Sequence, residues 1–193
     1  MRPVYIRSIA TLVPPGAYPQ TFAGDLVASW GANDRERRLT RKVYTSSGIE
    51  TRHSVLGDFL EDKPGNLFRT DADGRSVEPG SRARNDRYIG ESRKLATGVA
   101  RLALERCGLA QADITHLVTM SCTGFSNPGV DYFILRDLGL RPSVARFALG
   151  FMGCYAAIPA LRMARDFCLA DPAAVVLVVS VELCSLHLHD LLL

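Results

Sequence analysis

The sequence predicts a layered α/β fold in which a mostly parallel β-sheet is flanked by helices. Two observations support this prediction. From residue 116 onward, strand-like and helix-like segments alternate along the chain, as they do in βαβ proteins. The run "AAVVLVVSVE" at 173–182 is almost continuously apolar, which is typical of a parallel strand that is buried on both faces.

The alternating segments can be placed in order by their periodicity and by their glycine and proline boundaries. Strands are predicted at 116–122, 143–150 and 173–182. Helices are predicted between them, at 129–140 and 155–170. This order of strand, helix, strand, helix and strand is the pattern that a parallel sheet requires.

The patterns before residue 110 are weaker. A strand that ends in a proline turn is predicted at 4–15, and a short helix at 21–32. The stretch 35–42 carries five basic side chains in eight, which fits either a solvated helix face or a phosphate-binding site. The polar stretch 61–90, rich in Gly, Pro and Asp, predicts a long surface loop. A helix is predicted at 91–109, with its apolar residues Leu95, Val99, Leu102 and Ala103 at helical spacing.

Composition excludes several classes of protein. The 193 residues are 47% hydrophobic and 22% charged, as in a globular protein, and the net charge of +3 is too small to indicate nucleic-acid binding. We expect neither a signal peptide nor a membrane span, because no apolar run is long enough. An odd number of scattered cysteines predicts a cytoplasmic protein without a disulfide framework. They are Cys107, Cys122, Cys154, Cys168 and Cys184.

Cys154 stands out because of its predicted place at the start of a helix. Proline is tolerated only in the first turn, so Pro159 places the helix start at about 155–158. Gly150 and Gly153 allow a sharp turn from strand to helix. Unpaired N–H groups at a helix start favour a thiolate, which is the nucleophilic form of cysteine. The local features leave two alternatives open, a reactive nucleophile and a buried packing residue.

Several spaced motifs resemble those of one family. These are "NPGVDY" at 127–132, "LGLRP" at 138–142, "GCYAA" around Cys154 and "VLVVSVE" at 176–182. In these motifs the chain is similar to the type III polyketide synthases, the chalcone-synthase-like members of the thiolase superfamily, and most of all to their bacterial branch. The resemblance covers the N-terminal half of such an enzyme, so it implies one thiolase-like condensing-enzyme domain over 1–193.

The resemblance assigns roles to particular residues. Cys154 matches the cysteine that accepts an acyl group from an acyl-CoA starter. Lys42 and Arg52 lie near the position where the family holds the phosphates of coenzyme A. The resemblance also implies a homodimer and no cofactor beyond the substrates acyl-CoA and malonyl-CoA. Positions that match the lining of the substrate cavity are Cys122, Thr123, Asn127, Glu182, Cys184 and His187.

The C-terminal segment contains residues of the types that bind metals. Cys184, His187 and His189 offer ligand-type side chains, but a fourth ligand at a familiar zinc spacing is missing. We therefore predict no metal.

The function implied by the resemblance is acyl transfer to Cys154, followed by extension with malonyl-CoA in a decarboxylative condensation. Two alternatives stay open at this stage: a ketoacyl-synthase-like enzyme that uses an acyl-carrier protein, and a non-catalytic truncated fragment. The family's oxyanion-stabilising histidine and asparagine belong to a second half that has no counterpart here. We therefore expect residues 1–193 alone to be inactive or nearly so.

Overall fold

The computed structural model describes residues 3–57, 66–70, 72 and 76–188. The chain divides into two compact units. The first, which we call the sheet unit, comprises residues 1–12 and 88–183. The second, the hairpin unit, comprises residues 13–87 and 184–193.

The hairpin unit is built on short antiparallel pairs and two helices. Strand β1 pairs with β2, and β3 pairs with β4. Asn33 caps α2, because its side chain accepts hydrogen bonds from the N–H groups of Arg35 and Glu36. The elements are β1 (Gly16–Pro19), α1 (Gln20–Ser29), α2 (Asp34–Thr45), β2 (Thr51–Ser54), β3 (Arg69–Thr70) and β4 (Ser76–Val77).

The strand predicted at 4–15 is wrong. Residues 3–14 form neither strand nor helix, and β1 begins only at Gly16. The segment instead lies along helix α3 (Ser81–Cys107): Ser8 Oγ donates to the Ala103 carbonyl at 2.8 Å, and Arg106 donates to the Ile9 carbonyl at 2.7 Å. A run of apolar residues becomes a strand only where another strand offers its hydrogen bonds.

Helix α3 spans Ser81–Cys107, so the predicted surface loop at 61–90 is wrong for its last part. Residues 61–65, 71 and 73–75 of that loop lie outside the described residues. The helix start was missed because 81–90 contains Gly90 and almost no apolar side chains. The buried stripe of α3 repeats every four residues and is one position away from the predicted one. It includes Tyr88, Ser92, Ala96, Ala100 and Leu104.

The predicted parallel sheet is confirmed. Its strands are β5 (His116–Ser121), β6 (Ala145–Gly150) and β7 (Val176–Ser180), all parallel, in the spatial order β6-β5-β7. The crossovers contain α4 (Val130–Leu138) and α5 (Ala157–Ala170). Among the described helices, none is both long and apolar enough to span a bilayer.

Helix α5 covers one face of this sheet. Val118 and Met120 of β5 are buried against Ala156 and Ala160, and aromatic and aliphatic side chains of β6 and β7 extend the cluster. The two alanines let the helix approach the strands closely. Because side chains alternate along a strand, the buried Leu117 points to the opposite face.

Candidate active site

The site lies at the carboxyl edge of the sheet, between β5 and β6. The two strands end in register, with Ser121 opposite Gly150. The chain leaves β5, passes through α4 and enters β6 on one side of β5. It then passes through α5 and enters β7 on the other side of β5. Right-handed crossovers put two such helices on opposite faces and leave a crevice between the strand ends. Cys122 follows β5 and Cys154 follows β6, so both thiols come to this crevice.

Cys154 begins a 3-10 turn, Cys154–Ala156, that leads directly into α5. Pro159 lies in the first turn of α5, where its missing N–H costs no hydrogen bond. The helix therefore begins where the sequence predicts, and Cys154 lies at its N-terminal end. The residue is exposed in this structure, which contradicts the alternative of a buried packing cysteine.

The backbone just before Cys154 is strained. Phe151 has a φ of 58° and Gly153 has a φ of 78°. Glycine adopts this region freely, but a residue with a side chain loses roughly 1–2 kcal/mol there. Phe151 is also 88% exposed, and its ring lies 6.0 Å from that of Phe125, centroid to centroid. Non-glycine residues held in such conformations cluster at functional sites.

The thiols of Cys122 and Cys154 are in contact, with their sulfur atoms 3.6 Å apart. Both residues are exposed. Desolvation, the neighbouring Cys154 thiol and the negative charge of Glu182 together raise the pKa of Cys122 to about 12. Cys122 therefore carries its proton at neutral pH and is able to donate it in a hydrogen bond to the Cys154 sulfur.

Glu182 and Thr123 tie the loop after β5 to the segment after β7. The Glu182 carboxylate accepts hydrogen bonds from the Cys122 N–H, at 2.9 and 3.2 Å, and from Thr123 Oγ, at 2.8 Å. Thr123 Oγ in turn accepts from the Leu183 N–H at 2.9 Å. Thr123 is buried, and so is the Leu183 N–H that donates to its hydroxyl, so water cannot easily replace that hydrogen bond. This network fixes the backbone that carries Cys122.

Tyr88 of α3 packs against the same loop, and no sequence motif had pointed to it. Its side chain is fully buried, and a methyl group added at Gly124 would lie 2.2 Å from the ring. Burial raises the pKa of Tyr88, while the hydroxyls of Ser121 and Ser92 oppose this rise. The sequence signal for this contact is Gly124, next to the predicted cavity residues, because a glycine often marks a place where another group closely approaches the backbone.

The remaining predicted site residues are placed as follows. Asn127 is exposed on the loop after β5, and its peptide bond to Pro128 is cis. Cys184 and His187 are the ends of a 3-10 helix in the hairpin unit. Lys42, in the last turn of α2, and Arg52, in β2, belong to that unit too. The structure thus brings together Cys122, Thr123, Cys154 and Glu182 in the sheet unit.

Arg52 has structural partners of its own. Its Nε donates to Gln20 Oε1 at 2.6 Å, and its guanidinium lies 5.2 Å from the centre of the Tyr44 ring. Lys42 is exposed. Contact with coenzyme A stays a prediction for both residues.

Among the residues that the structure describes, no group of three or more His, Cys, Asp or Glu side chains is arranged to hold a metal ion. His189, one of the three ligand-type residues noted in the sequence, lies outside the described residues.

Known proteins resemble this chain in sequence and fold. Residues 8–190 match the family model of chalcone and stilbene synthases, N-terminal domain. The chain is 36% identical to the alpha-pyrone synthesis polyketide synthase-like Pks18 of Mycobacterium tuberculosis, over 94% of this chain and 44% of that protein.

Two solved structures share the fold. The first is PKS-I from the brown alga Ectocarpus siliculosus, at a TM-score of 0.83 and 32% identity, which covers 94% of this chain and 48% of that one. The second is 1,3,6,8-tetrahydroxynaphthalene synthase from Streptomyces coelicolor A3(2), a bacterial type III polyketide synthase. It has a TM-score of 0.79 and 26% identity, over 95% of this chain and 49% of that one.

The match covers nearly all of this chain and about half of each relative. The motifs in the sequence, the parallel sheet and the fold comparison agree on one assignment. The chain belongs to the chalcone and stilbene synthase family, the type III polyketide synthases, and has the fold of the N-terminal part of their thiolase-like architecture.

Proposed function

We propose that this chain provides the acyl-accepting centre of a type III polyketide synthase. In the first step the Cys154 sulfur attacks the carbonyl carbon of an acyl-CoA, and the CoA thiolate leaves. In the second, malonyl-CoA loses CO₂, and the resulting carbanion attacks the Cys154 thioester. The carbon–carbon bond forms as the Cys154 thiolate departs, and the acyl chain, now on CoA, is longer by two carbons.

The position of Cys154 is the observation on which this proposal depends. The cysteine is exposed and begins the 3-10 turn that leads into α5, at the carboxyl edge of a parallel sheet. Backbone N–H groups at such a helix start stabilise negative charge, and a crevice between strand ends admits a ligand. Exposed Met152 and Tyr155 flank it in the sequence and offer apolar surface to an acyl chain.

Neighbouring residues have a supporting role in this proposal. Glu182 and Thr123 hold the loop that presents Cys122, and Cys122 presents a protonated thiol to the nucleophile. That thiol can donate a hydrogen bond to the Cys154 sulfur when it departs as a thiolate in the condensation step. Cys122 is thus the second group of this chain that we expect to contact the reacting sulfur.

The proposal is tested by product formation. Because the relatives are about twice as long as this chain, the assay uses the protein expressed from its complete gene. Purified protein is supplied with malonyl-CoA and a panel of short, long and aromatic acyl-CoA starters. We expect a polyketide product that is lost in Cys154→Ala, whereas an equal yield from the variant would contradict the assignment of Cys154.

The carrier-protein alternative is separated from this proposal in the same assay. Acyl and malonyl groups are supplied either on CoA or on an acyl-carrier protein. Turnover of the CoA thioesters is the expected result. Turnover of only the carrier-bound thioesters would favour a ketoacyl-synthase-like enzyme.

A second candidate function is an interaction role without catalysis. The observation that favours it is an exposed apolar surface on α5 and the 3-10 turn before it, where Tyr155, Ile158 and Leu161 are all about half exposed. Apolar surface of this kind is characteristic of interfaces. Self-association of the full-length protein, measured by sedimentation, together with a failure to form an acyl-enzyme would support this candidate.

A further inference from the structure

We infer that Cys122 and Cys154 form a reversible oxidation site, in which a hydroperoxide converts the two thiols into a disulfide that blocks Cys154. This inference concerns the two sulfur atoms themselves, so it holds or fails independently of the proposed condensation chemistry.

The geometry of the pair carries the inference. The sulfur atoms are 3.6 Å apart, and a disulfide needs a separation of about 2.05 Å, so they must approach by about 1.5 Å. Each cysteine lies in a connection beyond the end of a strand, Cys122 after β5 and Cys154 after β6. Because Glu182 holds the backbone at Cys122, the approach comes from rotation of the two side chains and from the turn that carries Cys154. Both residues are exposed to a small oxidant.

The surroundings assign a different part to each thiol. Cys154 lies at the N-terminal end of α5, where the helix favours an anion. Desolvation, the Cys154 thiol and the Glu182 carboxylate hold the pKa of Cys122 at about 12, so Cys122 stays protonated. Peroxides react with thiolates, so oxidation begins at Cys154.

The reaction balances in two steps. The Cys154 thiolate attacks one oxygen of the hydroperoxide, the O–O bond breaks, and the products are a sulfenic acid and hydroxide or alkoxide. The Cys122 sulfur then attacks the sulfenic sulfur, the S–O bond breaks, and the departing hydroxyl takes the Cys122 proton and leaves as water. The two thiols lose two electrons in all, which the hydroperoxide accepts.

Two of the other cysteines donate hydrogen bonds to backbone carbonyls and have no thiol partner in those bonds. Cys107, in the last turn of α3, donates to the Leu104 carbonyl, and Cys168 of α5 donates to the Ala174 carbonyl. Both are half-buried. Burial and the charge of Asp171 raise the pKa of Cys168. The pair at the strand ends is therefore the preferred site of oxidation in the sheet unit.

The test is peptide mapping of the full chain, expressed from its complete gene, after treatment with hydrogen peroxide. Unreacted thiols are alkylated, and the protein is digested with trypsin without reduction. Cleavage at arginine places Cys122 in the peptide 107–136 and Cys154 in the peptide 147–162. Because the first peptide also contains Cys107, the experiment is done in a Cys107→Ser background.

We expect the two peptides to be joined, with a loss of about 2 Da relative to the sum of the reduced peptides. The joined species should disappear after treatment with dithiothreitol. Gains of about 16 or 32 Da on peptide 147–162, with no joined species, would overturn the inference.

The variant Cys122→Ser provides a functional readout that does not depend on catalysis. In the parent protein, peroxide should block labelling of Cys154 by iodoacetamide, and dithiothreitol should restore it almost fully. In Cys122→Ser the sulfenic acid has no partner thiol, so oxidation proceeds further and restoration should fall several-fold. Cys168→Ser serves as the matched control and should recover like the parent. Equal recovery of all three proteins would contradict the inference.

Discussion

Replacing Thr123 by valine tests whether its hydroxyl holds the catalytic loop. Thr123 Oγ donates to Glu182 at 2.8 Å and accepts from the Leu183 N–H at 2.9 Å. Valine has nearly the same shape, so the substitution removes these two hydrogen bonds while it leaves the packing almost unchanged.

The two lost bonds have unequal consequences. Glu182 is exposed, so water replaces the hydroxyl as its donor. The N–H of Leu183 is buried, and an unsatisfied buried donor costs about 1–3 kcal/mol. We therefore expect Thr123→Val to lower the free energy of unfolding by about 2 kcal/mol. With an m-value of about 2 kcal/mol per M of urea, the unfolding midpoint should fall by about 1 M.

The assay is urea unfolding of the full-length protein, followed by circular dichroism and by tryptophan fluorescence. Thr123→Ser is the matched control, because it keeps the hydroxyl and loses one methyl group, worth about 0.8 kcal/mol. The serine variant should therefore be the more stable of the two. If the valine variant unfolds at the same urea concentration as the serine variant, the hydroxyl does not hold the loop as described.

Three further predictions concern the same region. Gly124→Ala should lower the free energy of unfolding by about 1–3 kcal/mol, because the new methyl group meets a buried tyrosine ring, whereas the control Gly150→Ala, with no atom in its way, should change it far less. Phe151→Gly should be about 1 kcal/mol more stable than Phe151→Ala in thermal unfolding, because only glycine tolerates the positive φ without strain; the reverse order would contradict the strain. With the pKa of Cys122 near 12, roughly a thousandth of the Cys122 thiol is ionised at pH 9, so iodoacetamide should alkylate it slowly at that pH. Glu182→Gln removes a negative charge beside the thiol, so it should lower this pKa and speed the alkylation of Cys122. An unchanged rate would exclude the charge effect.

The sheet unit was predictable because its sequence carries strong local signals. Pro159 fixed the start of α5, since proline fits only the first helical turn. The apolar run at 173–182 indicated a strand buried on both faces. In β7 one face is buried, with Leu177 and Val179, whereas Val176 and Val178 on the other face are only partly buried against the α5 cluster. Parallel strands end at the same edge of a sheet, so these positions also placed Cys154 where the strand ends meet.

Other features depend on tertiary partners that a local pattern does not reveal. The segment 4–15 has strand-like composition, but α3 takes its hydrogen bonds in place of a neighbouring strand. The first turns of α3 carry polar residues, and the burial of one of them, Arg84, became visible only in the structure. Its guanidinium donates to the carbonyls of Leu186 and Leu188. The contact of the two thiols required coordinates as well, because the residues are 32 positions apart.

The central claim is that Cys154 is the nucleophile that accepts an acyl group. Its most direct test is the intact mass of the full-length protein after exposure to a starter acyl-CoA without malonyl-CoA, followed by mapping of the modified peptide. We predict a gain equal to one acyl group, located on the peptide 147–162 that contains Cys154, and no gain in Cys154→Ala. An acyl group that persists in the alanine variant, or that maps to another peptide, would contradict the account.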